Sequence, residues 1–412
     1  MIPRYSKLDR YLTNINSHIS QGTSTSDSYF TTTTNTTTTT TSTTTTTTSS
    51  TAVTTVRAPS VKDLCFRTVC GRFSLEPVTP EVEELRLATC TLGVEAVLAI
   101  QPLLTTNPAN VQVVESLVSE GTFLSMFPTR HPAYTYPAFL RAVGMFPAVC
   151  RTAATCRRTL AALFAHMVQE SRALEVVAAA EGVHCEASLA GRYPCTPGRL
   201  YHGRGALQLT GNHNYGAFSE AMFGDKMVLL DNPELVAAPW LIFAASLWQF
   251  VTPRHPRPSA LQVVDGSWRP GAADIQANLD NSFGTTIVVL GGDHECGRSH
   301  AMAATARGAL YTAFAKGYLG LDITGEDLTC RTKKPFPENG SAAEKAVFWH
   351  SLGPGFCKLT NVPSDFSALV EGDFLACLGA PQSCTRRTSV VTTFEDICEC
   401  SCTCAEDEAT CG

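Results

Sequence analysis

Long apolar runs and an excess of positive charge are both missing from this sequence. No stretch of its 412 residues approaches the roughly 18 consecutive apolar residues of a membrane span. The first twenty residues contain no apolar run of about 7–15 residues, which a secretory signal would require. The formal net charge of −6 excludes a strongly basic nucleic-acid-binding protein on electrostatic grounds. The sequence therefore predicts neither a membrane span nor a nucleic-acid partner.

Cysteine, in contrast, is abundant, with 17 residues in the chain. This number is high for a cytosolic protein of this size, because thiols there are kept reduced. It favours an oxidising compartment in which cysteine pairs persist as disulfides. We therefore expect the protein in the secretory pathway or outside the cell, although no signal segment is visible. The odd count leaves one thiol free or paired with another chain.

Residues 22–56 are almost entirely threonine and serine. Such a segment cannot bury enough apolar surface to offset the entropy lost on ordering, so residues 1–57 are expected to form a disordered stalk. In a secreted protein a stalk of this composition is typical of O-glycosylation, and Asn35 adds an N-glycosylation sequon. The alternative is an unmodified linker.

Three segments follow the stalk. Residues 58–108 contain three cysteines and a helix-like run, but no chemistry that we can assign. Residues 109–384 are rich in helical periodicity and poor in β-branched alternation, which predicts a mainly helical domain. Residues 385–412 include CECSCTC, whose spacing does not match that of zinc ligands. A disulfide-rich tail, or one that links to a partner chain, is favoured over a metal site, and we expect no cofactor.

A candidate general acid lies at the end of an amphipathic helix. The helix predicted for residues 157–170 places Leu163 and Met167 on an apolar face, and Glu170 continues that stripe. A carboxyl group at the edge of an apolar face is partly desolvated, which suits a general acid. The alternative is an ordinary surface glutamate at a helix end, and the pattern alone does not decide between them.

The stretch YHGRGALQLTGNHNYG, residues 201–216, combines glycines with neutral hydrogen-bonding side chains. It lacks the Lys-Ser/Thr pair of a phosphate-binding loop. Alternation would direct one set of side chains to the same side of a strand: Gln208, Thr210, Asn212 and Asn214. A row of amides and hydroxyls suits a neutral polyhydroxylated ligand better than an anion. The alternative is a polar turn whose groups bond to one another.

Several of these stretches, taken in order, resemble the family 19 chitinases, and more closely the bacterial and invertebrate branch. The resemblance covers roughly residues 109–380 and is carried by YPAFLRAVGMFPAVC, LAALFAHMVQE, YHGRGALQLTGNHNYGAFSEAMFG, LLDNPELVA, DGSWRPGAAD and GGDHECG. It implies a lysozyme-like, two-lobed helical domain with a small β-ribbon and a central cleft. It also implies cleavage of β-1,4-linked N-acetylglucosamine with inversion, so that chitin or its oligomers are the expected binding partners.

The resemblance also implies roles for individual residues. Glu170 matches the general acid, and Thr210 stands where the family has a serine whose hydroxyl helps to hold the attacking water. Glu295 and Arg307 match a buried carboxylate and guanidinium near the acid, where a two-point ion pair would fix its geometry. The remaining matches are substrate-contacting positions: Tyr193, Tyr201, Gln208 and Asn214. Implied disulfides are Cys150–Cys156, Cys185–Cys195, Cys296–Cys330 and Cys357–Cys377.

The general base is the weakest point of the resemblance, because the loop that carries it is shortened. Glu181 is the best match. An inverting pair of carboxyl groups stands about 6.5–9.5 Å apart, whereas an unbroken helix from Glu170 would place Glu181 roughly 16 Å away. The composition of residues 171–182 favours such a helix. Either the chain folds back near Ala178–Ala180, or Glu186 substitutes, or no competent base exists.

Other substitutions make the active site look eroded. Gly291 stands where the family has a substrate-contacting asparagine, and Asp293 replaces a glycine. His202 and His213 replace family tyrosines. Three hypotheses follow: an inverting chitin hydrolase, a chitinase-like protein that binds the polymer in a wall or matrix without cutting it, and a lysozyme-type enzyme acting on peptidoglycan.

Overall fold

The structure, a computed structural model, describes residues 78–180, 182–291, 295–296, 301–353, 356–370 and 372–379. The stalk, the cysteine-rich tail, Glu181 and Asp293 lie outside the described residues. None of the helices within the described ranges is long and apolar enough to cross a bilayer.

Helices dominate the described part of the chain, as the periodicity predicts. In order they are α1 (Pro80–Thr89), α2 (Val94–Ala99), α3 (Ala109–Leu117), α4 (Glu120–Met126), α5 (Tyr136–Met145), α6 (Ala153–Ser171), α7 (Asn212–Phe223), α8 (Met227–Asp231), α9 (Leu241–Val251), α10 (Ala260–Asp265), α11 (Ala272–Gln276), α12 (Phe283–Gly291), α13 (Ala301–Thr312) and α14 (Asp373–Cys377). Short 3₁₀ turns lie at Ala187–Leu189 and Pro233–Ala237, and Ala313–Tyr318 forms a π-helical extension of α13.

Helix α6 runs through the middle of the core. Its N-cap Thr152 accepts a hydrogen bond from the amide of Thr155, which starts the helix. From Thr159 to Val168 every side chain is buried, so this helix is enclosed on all sides rather than amphipathic. The ring of Phe164 in this helix lies 5.4 Å from that of Phe127 and 5.5 Å from that of Phe139, and burying one such ring contributes ~2–3 kcal/mol. The candidate acid therefore stands at the end of a rigidly packed helix.

A small antiparallel sheet lies at the C-terminal end of the described chain. Its strands are β1 (Phe348–Gly353), β2 (Phe356–Thr360) and β3 (Phe366–Ser367), in the order β2-β1-β3. Phe348 pairs with Thr360 on one side and with Ser367 on the other. Fold class is thus confirmed as mainly helical with a little β-structure.

The sheet packs against α1, so part of the segment to which we assigned no role belongs to a second, smaller core. This core contains Val82 of α1, Trp349, Ala368 and Cys377. The guanidinium Nε of Arg86 donates to the carbonyl of Ala368 at 2.7 Å. Helix α2 instead contributes Val97 and Ile100 to the main core. Residues 78–100 therefore connect the two cores.

All four implied disulfides are present in the described chain: Cys150–Cys156, Cys185–Cys195, Cys296–Cys330 and Cys357–Cys377. Cys296–Cys330 ties the residue after Glu295 to the segment that follows α13. Cys357–Cys377 closes the sheet onto α14. The disulfide prediction is confirmed for these pairs.

Candidate active site

Glu170 lies in the last turn of α6, and the helix ends one residue later. Three consecutive residues, Arg172, Ala173 and Leu174, adopt left-handed backbone angles with φ of 52°, 62° and 64°. The hydroxyl of Ser171 donates to the carbonyl of Met167 at 2.6 Å and accepts from the amide of Leu174 at 3.0 Å. The side chain of Ser171 therefore fastens the break in the helix.

The break shows that the helix favoured by the composition of residues 171–182 does not form. It lies earlier than Ala178–Ala180, where one of the three alternatives placed a fold-back. Residues with side chains rarely adopt the left-handed region, at a cost of roughly 1–2 kcal/mol each, so composition alone could not indicate a turn here. Long-range contacts compensate, since the carbonyl of Leu174 accepts from the amide of His131 at 2.8 Å.

Arg307 joins the candidate acid to a second carboxylate. Its Nε and Nη2 donate to the two oxygens of Glu295, each at 2.7 Å, and Nη2 also donates to Oε1 of Glu170. Arg307 is only 1% exposed, whereas the side chains of Glu170 and Glu295 retain 31% and 24% exposure. The two carboxylates raise the pKa of Arg307, against the opposing effect of burial. One buried guanidinium thus fixes two carboxyl groups at the edge of solvent.

His166 completes this group, and the sequence reading missed it. It lies one helical turn before Glu170, and its Nδ1 is 3.1 Å from Nη1 of Arg307. A guanidinium only donates, so Nδ1 accepts, and Nε2–H must donate to Oγ1 of Thr286 at 2.8 Å. Complete burial, and then the charge of Arg307, lower the pKa of His166 well below its usual value. The signal was available, since His166 and Glu170 share a helix face at a spacing of four residues.

The stretch after the helix break pairs with the ribbon of residues 201–211. The amide of Gly205 donates to the carbonyl of Val177 at 2.9 Å, and the amide of Ala179 to the carbonyl of Gly203 at 2.7 Å. Within the ribbon, Arg204 and Leu209 form an antiparallel bridge around a tight turn. The chain that leaves Glu170 therefore becomes the neighbour of the ribbon within ten residues.

Gln208 and Thr210 converge over the backbone of Gly203. A Cβ atom at Gly203 would lie 2.9 Å from Oε1 of Gln208 and 3.1 Å from Oγ1 of Thr210. A side chain at position 203 would require Gln208 and Thr210 to shift. Both residues are partly exposed, and the hydroxyl of Thr210 donates to the carbonyl of Gln208 at 2.7 Å.

The predicted alternation over four residues is wrong beyond Thr210, because α7 begins at Asn212. Asn214 is partly exposed in the first turn of this helix, and its amide donates to the carbonyl of Thr210 at 2.7 Å. Asn212 points inward, with no exposed surface, and bonds to the amide of Glu186 and the carbonyl of Tyr193. Asn212 therefore holds neighbouring loops together.

The two tyrosines of the candidate set have different surroundings. Tyr201 is completely buried, and its hydroxyl donates to the carbonyl of Leu230 while accepting from the amide of Thr196, both at 2.9 Å. It has no free surface for a sugar, which corrects its expected role as a substrate contact. Tyr193 is partly exposed, packs on Gly216 of α7, and its hydroxyl contacts Glu220 at 3.0 Å.

Glu186, the alternative to Glu181, is an exposed residue just after the segment that pairs with the ribbon. One of its carboxylate oxygens lies 3.1 Å from Nδ1 of His213, near the start of α7. Burial lowers the pKa of His213, and the charge of Arg254 adds to this effect while Glu186 opposes it. Gly291 lies directly against Glu295, since a Cβ there would be 3.0 Å from the carboxyl carbon. A side chain at this position would require Glu295 to move.

A comparison with family models finds one match, to "Chitinase class I", over residues 128–330. Among curated proteins, an endochitinase from Carica papaya is 34% identical over 249 residues, which are 54% of this chain and 99% of that protein. A protein from Hevea brasiliensis named inactive chitinase-like protein 1 is 34% identical over 253 residues, 54% of this chain and 76% of its own. The crystal structure of chitinase C from Streptomyces griseus HUT6037 aligns with a TM-score of 0.42 and 28% identity, over 52% of this chain and 97% of that one.

Proposed function

The chain belongs to the class I chitinase family, glycoside hydrolase family 19, and from this premise we propose that it hydrolyses β-1,4-N-acetylglucosamine linkages in chitin. The observation that carries the proposal is the half-exposed carboxyl group of Glu170 held by Arg307. Glu170 is the general acid, which gives its proton to the oxygen of the departing sugar. Arg307 and Glu295 hold the acid in one orientation.

A water molecule on the opposite face of the sugar ring is the nucleophile in this mechanism. Thr210 and Gln208 offer a hydroxyl and an amide side by side over Gly203, which suits binding to that water and to a sugar hydroxyl. Asn214 and Tyr193 extend the same polar surface. Glu181 is the proposed general base, with Glu186 as its alternative. Inversion at the anomeric carbon requires about 6.5–9.5 Å between the acid and base carboxyl groups.

A second candidate function is binding of chitin without cleavage. It is favoured by the glycine at position 291 and the shortened loop after Glu170, and one relative of equal identity to the papaya endochitinase is itself named as inactive. These departures support an eroded site. The Cys357–Cys377 closure of the sheet supports a place in the bacterial and invertebrate branch. From the four disulfides between described residues, we also propose that the protein acts outside the cell or within the secretory pathway, and that its tail cysteines link it to a partner.

Product analysis with N-acetylglucosamine hexamer separates the two candidates. We expect the wild type to release shorter oligomers whose new reducing ends are initially in the α-anomer, as detected by proton NMR immediately after mixing. Glu170→Gln keeps the shape of the side chain but removes the acid, so turnover is expected to fall about 10³-fold or more. Glu344→Gln, at an exposed glutamate, is the matched control and should retain full turnover.

Survival of turnover in Glu170→Gln would remove this residue from the acid role. Retention on chitin beads by both wild type and Glu170→Gln, with no product from either, would favour the binding protein. The base is identified by the same assay with Glu181→Gln and Glu186→Gln. Only the substitution that removes the true base should lower turnover, by about 10²–10³-fold.

A further inference from the structure

A polar cavity that the proposed mechanism does not use lies between the end of α9 and the end of α12. It measures about 40 Å³, more than the ~10–15 Å³ that one water molecule needs. Gln249, Thr252 and Arg254 contribute from α9 and the turn after it, Arg257 from the same turn, and Val289 and Leu290 from α12. Among the described residues that line it there are two guanidinium groups and no carboxylate.

Three of the lining side chains end in polar atoms that are out of contact with solvent and have no hydrogen-bond partner. They are Nε2 of Gln249, Oγ1 of Thr252 and Nη2 of Arg254. A buried donor without a partner destabilises the folded state, and more so when it is charged. The three groups around this cavity therefore lack a hydrogen-bond acceptor, which a ligand in the cavity can supply.

Arg254 is the charged member of these three groups. Its guanidinium stacks on the ring of Trp248, with Cζ 5.4 Å from the ring centroid, and this contact fixes the plane of the fork. Burial lowers the pKa of Arg254 to about 10, and the neighbouring charge of Arg257 contributes in the same direction. Arg257 donates to the carbonyl of Val289 at 3.0 Å. Among the described residues that line the cavity, two cations thus lie together with no carboxylate beside them.

We propose that this cavity binds an oxyanion, a carboxylate or a group of similar charge, between Arg254, Thr252 and Gln249. A carboxylate matches the planar donor fork of arginine in two-point geometry. Its oxygens also accept from the hydroxyl of Thr252 and the amide of Gln249. Every orphaned donor then has a partner.

The cavity adjoins the candidate active site, which indicates where the anion comes from. Leu290 precedes Gly291, and Gly291 lies against Glu295, the carboxylate that holds Arg307. The charge of Arg254 is also felt by His213, beside the polar surface of the ribbon. If the proposed cleavage of N-acetylglucosamine polymers is right, on which this step rests, the occupant is a carboxylate borne by an adjacent sugar. The preferred polymer would then carry an acidic substituent, such as the lactyl ether of N-acetylmuramic acid.

The cavity itself is tested by anion binding without any turnover. Thermal unfolding of the full chain is followed at constant ionic strength while sodium chloride is replaced by sodium acetate or phosphate. We expect the midpoint to rise with acetate or phosphate in the wild type and in the control Arg151→Met, which removes an exposed arginine at the far end of α6. Arg254→Met should show no rise, and the nearly isosteric Thr252→Val a smaller one.

The source of the anion is tested by calorimetry with two tetrasaccharides of equal length. One is an N-acetylglucosamine tetramer, and the other alternates N-acetylglucosamine with N-acetylmuramic acid. We expect Arg254→Met to weaken binding of the acidic tetramer by about ten-fold or more, since one charge-assisted hydrogen bond is worth about 1.5–3 kcal/mol, and to leave binding of the neutral tetramer unchanged.

A response to acetate or phosphate without preference for the acidic tetramer supports the cavity and assigns it to a free anion. No response to either probe, in a folded wild type, overturns the proposal. Anion binding by a protein that releases no product from chitin would leave this inference intact while the proposed hydrolysis fails. Product release with no anion response is the reverse case.

Discussion

Arg307 is fully buried and Arg254 is partly buried, and their surroundings are opposite. Arg307 has two carboxylates and a neutral imidazole within hydrogen-bonding distance, and its pKa is raised. Arg254 has an aromatic ring on one face, a second arginine nearby and no carboxylate among the described residues that line its cavity, and its pKa is lowered to about 10. Burial acts on both in the same direction, so the difference comes from the partners.

The comparison shows how two cations that are largely shielded from solvent can serve different purposes. A guanidinium already neutralised by the protein orients other groups and has little left to give to a ligand. A guanidinium that is desolvated and has no carboxylate beside it is suited to bind an external anion. The anion then offsets the free energy that was lost when the charge was removed from water. The first arginine therefore serves the proposed chemistry, and the second serves recognition.

The largest expected effect comes from removing the neutralised cation. Arg307→Met leaves Glu170 and Glu295 facing each other without a counter-charge, so we expect a loss of about 3–5 kcal/mol in the free energy of unfolding and a fall in turnover of about 10²-fold or more. Urea unfolding and oligomer hydrolysis measure the two quantities. Arg254→Met is the matched comparison and should cost far less stability, since no carboxylate is left behind. Equal losses in both variants would contradict the distinction.

A smaller effect is expected from His166, through pH. Its pKa is lowered in the folded protein, so below about pH 6.5 the unfolded chain binds a proton that the folded chain does not. The free energy of unfolding should therefore decrease as the pH falls from 7 to 5, by up to ~1.4 kcal/mol per unit for this group. His166→Gln keeps an acceptor for Arg307 and a donor for Thr286 but does not titrate. Urea unfolding at both pH values should show a weaker decrease in the variant, and an identical decrease would exclude His166 as the cause.

The smallest effect is expected when a substitution places a carboxylate beside Arg254. Leu290→Glu introduces an acidic side chain at a lining position. We expect stability to change by no more than ~1 kcal/mol and the thermal response to acetate or phosphate to disappear. Leu290→Gln is the uncharged control and should keep the response. Persistence of the response in Leu290→Glu would show that the anion binds elsewhere.

The sequence predicted most of what depends on local pattern and on family resemblance. The helix that carries Glu170, the mainly helical fold and four disulfides followed from periodicity and motif. Arg307 and Glu295 were named from the resemblance, and the structure places them in two-point contact. These features depend on short-range spacing or on motifs that keep their order.

The remaining features depend on tertiary contacts that no short pattern encodes. The helix end after Ser171 is imposed on a helix-forming composition by contacts with His131 and with the ribbon. Tyr201 and Asn212 sit among polar neighbours in the sequence, yet each is fully buried. The residues that line the cavity at Arg254 come from two parts of the chain about forty residues apart, the end of α9 with its following turn and the end of α12. The period-two alternation predicted from Gln208 to Asn214 fails because the ribbon ends and α7 begins after only a few residues.

The left-handed run at Arg172–Leu174 places the candidate acid at a junction where local preference and tertiary structure disagree. Were the ribbon to detach, nothing in the intervening residues would stop α6 from growing by further turns. Proton-donating competence would then be a property of the assembled domain, absent from any fragment that contains the helix alone. In a hydrogen-exchange experiment, the amides from 172 to 180 should exchange faster than those in the interior of α6. Loss of protection at this junction should therefore be the first sign that the site is disrupted.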